Sequence, residues 1–318
     1  MNARNIFFGE KGLRAGWRAL MFIVLLVVAV FAAGTALNFI AHRLFPSRGH
    51  ATGMTPVVVL VGESALLIGL ALVMMVIVRV EKLNVGEFGL PMRHAFRSKF
   101  WVGAVWGFAA LSALIGIIKL FHAVDLGPVI DPAPIELKDG LLYAIAFTMV
   151  GIFEEFAMRG YLQWSLTRGL GFWPAALITS LLFGAVHAGN PGEHWYGLIP
   201  VVEVGLLFCL FLLRTGDLWF PIGFHFAWDW AKTYFYGTPD SGAVANGSLF
   251  RANFHGPTWV TGGSVGPEGS AFVYVVLALT GVLFAIVYRH RKYDADTAVA
   301  ANTVSPAPVT DALPESAS

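Results

Sequence analysis

The side chains best suited to chemistry in this chain are ionisable groups inside otherwise apolar stretches. They are two adjacent glutamates, two histidines and an aspartate: Glu154, Glu155, His187, His225 and Asp229. A charged group at the centre of a bilayer costs at least about 2.5–3.5 kcal/mol on insertion scales. A chain that keeps so many of them is expected to gather them around a cavity. Carboxylates and imidazoles are groups that take protons from water, so the pattern indicates hydrolysis.

The spacing of the acidic residues predicts different roles for the two neighbouring glutamates. Glu155 and Arg159 are four residues apart, share a helix face and are placed to form an ion pair. Glu154 points about 100° away from Glu155 on the same helix. We therefore predict a structural role for Glu155 and Arg159, and a general-base role for Glu154.

A second pair of polar residues has the same helical spacing. His225 and Asp229 are four residues apart and can share a hydrogen-bond network or present both groups to one ligand. Lys232 lies three residues beyond Asp229 and is placed to pair with it, which would hold the aspartate ionised. Glu63 and Glu203 are isolated in apolar stretches, and we predict that each is a structural group or supports the site from behind, and is not a catalyst.

The composition is typical of an integral membrane protein. Of the 318 residues, 57% are hydrophobic and 13% are charged, and the mean hydropathy is +0.68. Soluble domains carry about 25% charged residues. The formal net charge of +1 argues against a nucleic-acid partner. The sole cysteine, Cys209, can form no internal disulfide and supplies no metal cluster.

Apolar stretches of about 20 residues predict transmembrane helices. We predict an all-α polytopic membrane protein, a bundle of about eight spans, at 17–39, 56–80, 99–120, 141–164, 172–190, 197–213, 218–236 and 270–289. The transmembrane domain then covers 1–293, with a motif-bearing core region at 140–236 and an external loop at 237–268. The small, polar and Pro-bearing composition of 294–318 predicts a disordered cytoplasmic tail.

The distribution of Lys and Arg predicts the orientation of the bundle. If the N-terminus is inside, the outer segments hold only Arg43, Arg48, Lys138 and Arg251, with Lys119 near an outer helix end. The inner segments hold nearly all the others. Because cytoplasmic loops are enriched in Lys and Arg, we expect both termini in the cytoplasm.

The depth of the polar residues raises one difficulty for a shared site. At 1.5 Å per residue, Glu154 lies roughly 20 Å into its span and His225 roughly 10 Å into a span of opposite direction, so they meet nearer the cytoplasm. His187 lies roughly 22 Å into the fifth span, which is too far outward. A shared site requires that this span start after Pro174 or be tilted.

Three short motifs in these stretches resemble the CPBP family, which includes the CAAX proteases and bacteriocin-processing enzymes. The family pattern is EExxxR, then FxxxH, then HxxxN or HxxxD, on successive core helices. The corresponding residues here run from Glu154 to Arg159, from Phe183 to His187 and from His225 to Asp229. The loop segment GPTWVTGGSVGPEGS also resembles one common in bacterial members, which implies a bacterial inner or plasma membrane.

The resemblance implies roles for individual residues. The family includes type II CAAX prenyl endopeptidases, which cleave a peptide bond beside a prenylated cysteine. Glu154 and His187 would activate a water as general base, and His225 and Asp229 would stabilise the oxyanion. Many eukaryotic members have Asn where this chain has Asp229. Because an ionised aspartate cannot donate a hydrogen bond, Asp229 is expected to be protonated, to orient His225 or to serve differently.

The family is often labelled a metalloprotease family, and the sequence leaves the metal open. Glu154, His187 and His225 could supply three zinc ligands and leave a fourth position for water. These residues are scattered singly over three spans, and no HExxH helix is present. Since a glutamate and a histidine can activate water unaided, we favour a reaction that requires no cofactor, with zinc as the alternative.

These observations favour an intramembrane endopeptidase. Its expected partners are the lipid bilayer and a membrane-associated or lipid-modified peptide or protein substrate. One alternative is a non-catalytic scaffold or immunity-type membrane protein that keeps the polar residues as structural groups. Another is a proton-coupled transporter, because buried acids and histidines also mark proton paths. Transporters often show inverted repeats and paired broken helices, and neither is clear in this sequence.

Overall fold

The computed structural model describes residues 7–9, 12–44, 54–127, 134–190, 192–240 and 246–294. Helices make up most of these residues, so the predicted all-α fold is confirmed. The predicted tail at 294–318 lies outside the described residues apart from Asp294.

The helices follow one another along the chain with short connections. Their bounds are α1 Ala15–Leu44, α2 Pro56–Glu81, α3 Ser98–Leu120, α4 Pro134–Glu155, α5 Gln163–Leu170, α6 Phe172–His187, α7 Trp195–Thr215, α8 Trp219–Trp230, α9 Thr258–Thr261 and α10 Ala271–Val287. Two π-helical segments, Phe156–Leu162 and Ala231–Phe235, continue α4 and α8. Short antiparallel pairs join β1 Phe8–Gly9 to β2 Gly12–Leu13 and β3 Val124–Leu126 to β4 Ala252–Phe254.

The apolar helices identify the chain as an integral membrane protein. Among the described residues, five helical runs are long and apolar enough to cross a bilayer: Ala15–Arg43, Pro56–Glu81, Ser98–Leu120, Leu137–Leu170 and Trp195–Thr215. Two shorter apolar helices are α6 and α10. The predicted seventh span, 218–236, is α8 with its π-helical continuation. Every predicted span is therefore helical, while the count of eight crossings stays a prediction.

The predicted fourth span is not a uniform helix. Regular α-helix ends at Glu155, and the next seven residues form a π-helix in which Gly160 has φ −81° and ψ −113°. A Cβ atom at Gly160 would lie 2.5 Å from the ring of Phe156, so the bulge depends on glycine there. Bulges of this kind occur often at functional sites, and this one directly follows the two motif glutamates.

The predicted fifth span differs from the structure at its outer end. Helix α6 begins at Phe172, as expected, and ends at His187 rather than at residue 190. A start after Pro174, one of the two explanations for the depth of His187, is therefore wrong.

One end of the bundle is held together by ion pairs between its connections. The Arg18 guanidinium of α1 lies 2.7 Å from Glu81 of α2, and the Tyr161 hydroxyl also donates to Glu81, at 2.9 Å. Before α8, Asp217 binds the Lys99 ammonium of α3 at 2.5 Å. We call this the basic end; it comprises the start of α1 and the connections 82–97, 171, 214–218 and 288–294.

The opposite end is held together by hydrogen bonds from a long connection. The Tyr143 hydroxyl of α4 lies 2.9 Å from the carbonyl oxygens of both Met54 and Asn246, and its one proton is shared between them. The Ser264 hydroxyl donates to the carbonyl of Gly192 at 3.1 Å. We call this the loop end; it comprises the described parts of 54–55, 121–127, 188–194 and 236–270. Alternate connections therefore lie at opposite ends, as expected for helices that cross a bundle in turn.

Helix α8, which carries the third motif, packs against α3 through glycines. A Cβ atom at Gly103 or Gly107 of α3 would lie 2.1 or 2.2 Å from a backbone carbonyl oxygen of α8. A Cβ atom at Gly223 of α8 would lie 2.0 Å from a carbonyl oxygen of α3. Small residues allow such close approach of membrane helices, so these glycines fix the position of His225 relative to the bundle.

We expect Gly107→Ala to destabilise the protein, because the added methyl group collides with the α8 backbone, which cannot rotate away. Overpacking of this kind typically costs about 1–3 kcal/mol. The measurement is the free energy of unfolding of the detergent-solubilised protein.

The matched control is Gly116→Ala on the same helix, where an added Cβ atom meets nothing within 4 Å. This control is expected to be neutral or slightly stabilising, since alanine favours helix over glycine. Equal stability of the two variants would contradict the close packing of α3 on α8.

Candidate active site

His225 lies at the centre of a group of carboxylates. Its Nδ1 atom is 3.0 Å from Glu155 Oε1, whereas its Nε2 atom is 3.2 Å from Asp229 Oδ2 and 3.6 Å from Glu154 Oε2. The contacts come from α4 and from the next turn of α8 itself. The first and third sequence motifs therefore meet directly at the imidazole, and the second motif takes no part in these three contacts.

The neighbours of His225 define which ring atoms carry protons. Arg159 is charged at every relevant pH and lies 3.4 Å from Glu155 with both side chains fully buried, so Glu155 is an ionised acceptor. The Nδ1 atom must therefore donate to Glu155. A lone pair on Nε2 would face the oxygens of Glu154 and Asp229, so a proton is favoured there too. Only the Nδ1 contact has hydrogen-bond geometry, which leaves the Nε2 proton available to another acceptor.

The expected ion pair between Glu155 and Arg159 is present and forms a fully buried support for the site. The Arg159 guanidinium lies over the ring of Phe183, 4.3 Å from its centroid, in a cation–π contact. Gly205 of α7 makes room for it, because a Cβ atom there would lie 2.8 Å from Arg159 Nη2. Arg159 therefore joins α4, α6 and α7 behind the site.

His187 is the last residue of α6, and its ring is oriented by its own helix. The Nδ1 atom lies 2.8 Å from the carbonyl oxygen of Phe183, which can only accept a hydrogen bond. Nδ1 therefore carries a proton, and Nε2 of the neutral ring is an acceptor. The Phe183 ring packs edge-on against the imidazole with centroids 4.5 Å apart. The spacing of Phe183 and His187 therefore has a local physical meaning: the phenylalanine supplies both the carbonyl that accepts from His187 and the surface against which its ring packs.

A cavity of about 370 Å³ brings the predicted residues together. Glu154, His187, His225 and Asp229 all line it, from α4, α6 and α8. Glu155 and Arg159 do not line it and lie behind the cavity wall. The structure therefore separates the two adjacent glutamates as the helical spacing predicts.

Glu154 lines this cavity, and one oxygen of its carboxylate is unsatisfied. Its Oε2 atom is buried and has no hydrogen-bond partner among the described residues. Its side chain is 25% exposed, so a molecule in the cavity can reach it. An unsatisfied acceptor beside a histidine can hold and deprotonate a water molecule.

Lys232, at the start of the second π-helical segment, is enclosed by three carboxylates. Its Nζ atom lies 3.3 Å from Asp229, 2.6 Å from Asp240 and 2.6 Å from Glu268, and its side chain is 1% exposed. Thr233 donates to Asp240, and the Trp228 indole donates to Glu268. We call Lys232 with its three carboxylates the lysine cluster. It attaches the long connection 236–270 to the wall of the cavity.

Burial changes the pKa of Asp240, one of the three carboxylates of the lysine cluster. Removal from water raises the pKa of Asp240 to about 6, and the Lys232 ammonium opposes that shift. Protonation of Asp240 therefore weakens one contact of Lys232.

Three acidic residues of the cavity lining were not predicted as site residues. Glu63, interpreted as an isolated structural group, lines the cavity, and its Oε2 atom is buried without a hydrogen-bond partner among the described residues. Asp240 and Glu268 belong to a segment interpreted as an external loop, yet both line the cavity. A signal was present in the sequence: a lysine within an apolar span needs counter-charges, and these are the only acids in 237–268.

The predicted zinc ligands do not form a recognisable metal site. Within the described residues, no group of three His, Cys, Asp or Glu side chains is arranged to hold a metal ion. A metal ligand must offer a lone pair, whereas both ring nitrogens of His225 face carboxylate oxygens that favour protons. The expected set of Glu154, His187 and His225 therefore does not fit zinc in this arrangement.

A family comparison covers the part of the chain that builds the site. Residues 136–231 match the family described as type II CAAX prenyl endopeptidase Rce1-like. This segment contains all three motifs. The segment is therefore similar to that family over about 30% of the chain. The match confirms the resemblance to the CPBP family, while assignment to a bacterial branch stays a prediction. No curated protein and no solved structure matches the chain.

We expect Lys232→Met to destabilise the protein and to loosen the connection 236–270. Removing the cation leaves three buried carboxylates close together, and breaking a buried ion pair typically costs about 3–5 kcal/mol. Trypsin cleavage after Arg251, the only Lys or Arg in 237–268, should become faster, as measured by gel and mass spectrometry.

The control is Lys99→Met at the basic end, where a lysine with a side chain 35% exposed pairs with Asp217. That change leaves Asp217 its contacts with His94 and the Trp219 backbone N–H, and it should leave cleavage at Arg251 unchanged. Unchanged cleavage in Lys232→Met would show that the lysine cluster does not hold the connection.

Proposed function

We propose that this protein is an intramembrane endopeptidase that hydrolyses a peptide bond of a membrane-associated or lipid-modified substrate. The observation that carries the proposal is the shared cavity: Glu154, His187 and His225 reach it from three helices within the family segment. Their chemistry is complementary, because one is an unsatisfied carboxylate, one a hydrogen-bond acceptor and one a hydrogen-bond donor.

Glu154 and His187 activate the water. The water donates one hydrogen bond to the carboxylate of Glu154 and the other to Nε2 of His187. As the water oxygen attacks the peptide carbonyl carbon, its proton passes to Glu154. General-base catalysis of this kind contributes about 10²–10⁴-fold to the rate.

His225 stabilises the charge that develops on the carbonyl oxygen. Its Nε2 proton has no well-formed hydrogen bond among the described contacts and can be donated to the oxyanion. Asp229 is held as an acceptor by Lys232 on one oxygen and orients His225 with the other. Of the three roles open to Asp229, the orienting one fits these contacts best. The intermediate collapses when the C–N bond breaks and Glu154 returns its proton to the leaving amine.

The reaction requires no metal in this account. Glu155 supplies a negative charge to Nδ1 of His225, and Asp229 and Glu154 supply negative charge to Nε2. With these carboxylates around it, the imidazole of His225 carries a positive charge. That charge stabilises the oxyanion, as a metal ion does in a metalloprotease.

We expect Glu154→Gln to lower the cleavage rate by about 10²-fold or more, because an amide cannot accept the proton of the attacking water. The change keeps the shape of the side chain. The measurement compares the membrane-fraction peptides of cells that express the wild-type chain with those of cells that express the variant, with new N-termini counted by mass spectrometry.

The matched control is Glu203→Gln, which alters another intramembrane glutamate outside the cavity lining. Its peptide profile should equal that of the wild type. If Glu154→Gln gives the wild-type profile as well, Glu154 is not the general base. If the wild-type chain itself generates no new N-termini, a scaffold or a transporter replaces the peptidase.

We expect cleavage to survive exhaustive chelation. The purified protein is dialysed against a strong zinc chelator, and turnover of a substrate peptide from the preceding experiment is compared before and after. Loss of turnover that zinc alone restores would contradict the metal-free reaction and return Glu154, His187 and His225 to the role of ligands.

A further inference from the structure

The lysine cluster joins the long connection that follows α8 to the imidazole at the centre of the site. The Lys232 Nζ atom lies 2.6 Å from both Asp240 Oδ1 and Glu268 Oε1, and 3.3 Å from Asp229 Oδ1. The other carboxylate oxygen of Asp229, Oδ2, lies 3.2 Å from Nε2 of His225. An unbroken series of charged contacts therefore runs from the connection to the imidazole.

Lys232 and its two partners in the connection lie beyond the segment that matches the family, which ends at residue 231. The match therefore carries no information on what these three residues do. Their role has to follow from their contacts, their burial and their charges.

The ammonium of Lys232 depends on all three of its carboxylates. It has three N–H donors, three carboxylates surround it, and its side chain is 1% exposed, so water cannot replace a lost partner. Both contacts with the connection are shorter than the contact with Asp229. Because a buried charge without compensation is costly, loss of an acid from the connection would move the ammonium towards its remaining partners. Asp229 would then change its position or its charge.

The acids of the connection also determine the charge next to His225. With Asp229 as its one partner, Lys232 would form a neutral pair with it. With Asp240 and Glu268 included, three negative charges and one positive charge give the cluster a net charge of −2. Interactions between charges are stronger in a protein interior than in water. The two acids therefore favour the proton on Nε2 of His225.

Both acids are held in place by donors of the helix that carries His225. The Thr233 hydroxyl donates to Asp240 Oδ2 at 2.9 Å, and the Trp228 indole donates to Glu268 Oε1 at 2.7 Å. Trp228 belongs to α8 and Thr233 to its π-helical continuation. The connection is therefore fixed to the helix on both sides of Lys232.

We propose that Asp240 and Glu268 are positioning residues of the active site. Through Lys232 they hold Asp229 in place, and Asp229 orients Nε2 of His225 towards the carbonyl of the substrate. Their part in catalysis rests on the proposed endopeptidase function, whereas their effect on the imidazole does not. The connection that carries them is then a part of the active site and not a separate external loop.

Nitrogen NMR of the full-length protein in bilayers tests the effect on the imidazole without a substrate. Asp240→Asn and Glu268→Gln each remove one charge and keep the shape of the side chain. The spectra are recorded at pH 8, where Asp240, with a pKa of about 6, is ionised. With ¹⁵N-labelled histidine, we expect each variant to shift the Nε2 signal of His225, which His225→Gln identifies, by more than its line width. The double variant should shift this signal further.

The matched control is Asp125→Asn. Asp125 lies on β3, which pairs with β4 of the same connection, and its side chain is 81% exposed and faces His255 instead of Lys232. This change should leave the Nε2 signal in place. Trypsin cleavage after Arg251 reports whether the connection stays attached. A shifted signal in a variant that is cleaved as slowly as the wild type supports the proposal. An Nε2 signal that moves in neither single variant nor the double variant overturns it.

Steady-state kinetics on a cleaved peptide test the part in catalysis. If the acids act through His225, either substitution should lower kcat by about 10-fold or more and leave KM unchanged, because the oxyanion forms only in the transition state. Removal of a whole oxyanion donor costs about 10²–10³-fold. A raised KM with unchanged kcat overturns the positioning role and shows that the acids bind the substrate directly. If the wild-type chain cleaves no peptide, the proposed function fails, and the NMR comparison still decides whether the acids position His225.

Discussion

The site depends on one buried electrostatic contact, the carboxylate of Glu155 shared by Arg159 and His225. Removing one partner of a buried pair is far more costly than breaking an exposed pair, because the other charge is left without compensation. Arg159 therefore keeps Glu155 ionised, and Glu155 keeps the Nδ1 proton of His225 in place. The orientation of the imidazole towards the cavity follows from this chain of contacts. The glycines on α3 and α8 bring the two helices close enough to hold His225 at that position.

The adjacent glutamates show how one residue type serves two functions. Glu155 is enclosed and neutralised by a cation, whereas Glu154 has a buried oxygen with no hydrogen-bond partner among the described residues and faces the cavity. Their difference arises from the helix period, which turns successive side chains by about 100°. A second separation occurs on α8, where Asp229 is held by Lys232 and orients His225 without competing for the water. Glu155 and Asp229, which stabilise the site, are each paired with a cation, whereas Glu154, the proposed base, is not paired with a lysine or arginine among the described residues.

Much of the fold followed from the apolar periodicity, since α2 and α3 begin and end within one residue of their predicted bounds. The ion pair of Glu155 and Arg159 and that of Lys232 and Asp229 followed from helical spacing. The π-helical segments did not, because the bulge at Gly160 depends on how the Phe156 ring packs in three dimensions. Asp240 and Glu268 were also missed. Asp240 lies beyond the helix that carries Lys232, and Glu268 is far from Lys232 in sequence. Only the folded connection 236–270 brings both acids to the lysine. Glu63 shows the same limit, because an isolated acid gives no local sign of the cavity it faces.

The most direct measurement of the central claim is nitrogen NMR of the histidine rings in the bilayer-reconstituted protein. With ¹⁵N-labelled histidine, a signal that disappears in His225→Gln identifies His225. The account predicts that both nitrogens of this ring carry a proton and that Glu155→Gln removes this state. A His225 ring with one unprotonated nitrogen in the wild-type protein, unchanged by Glu155→Gln, would contradict it.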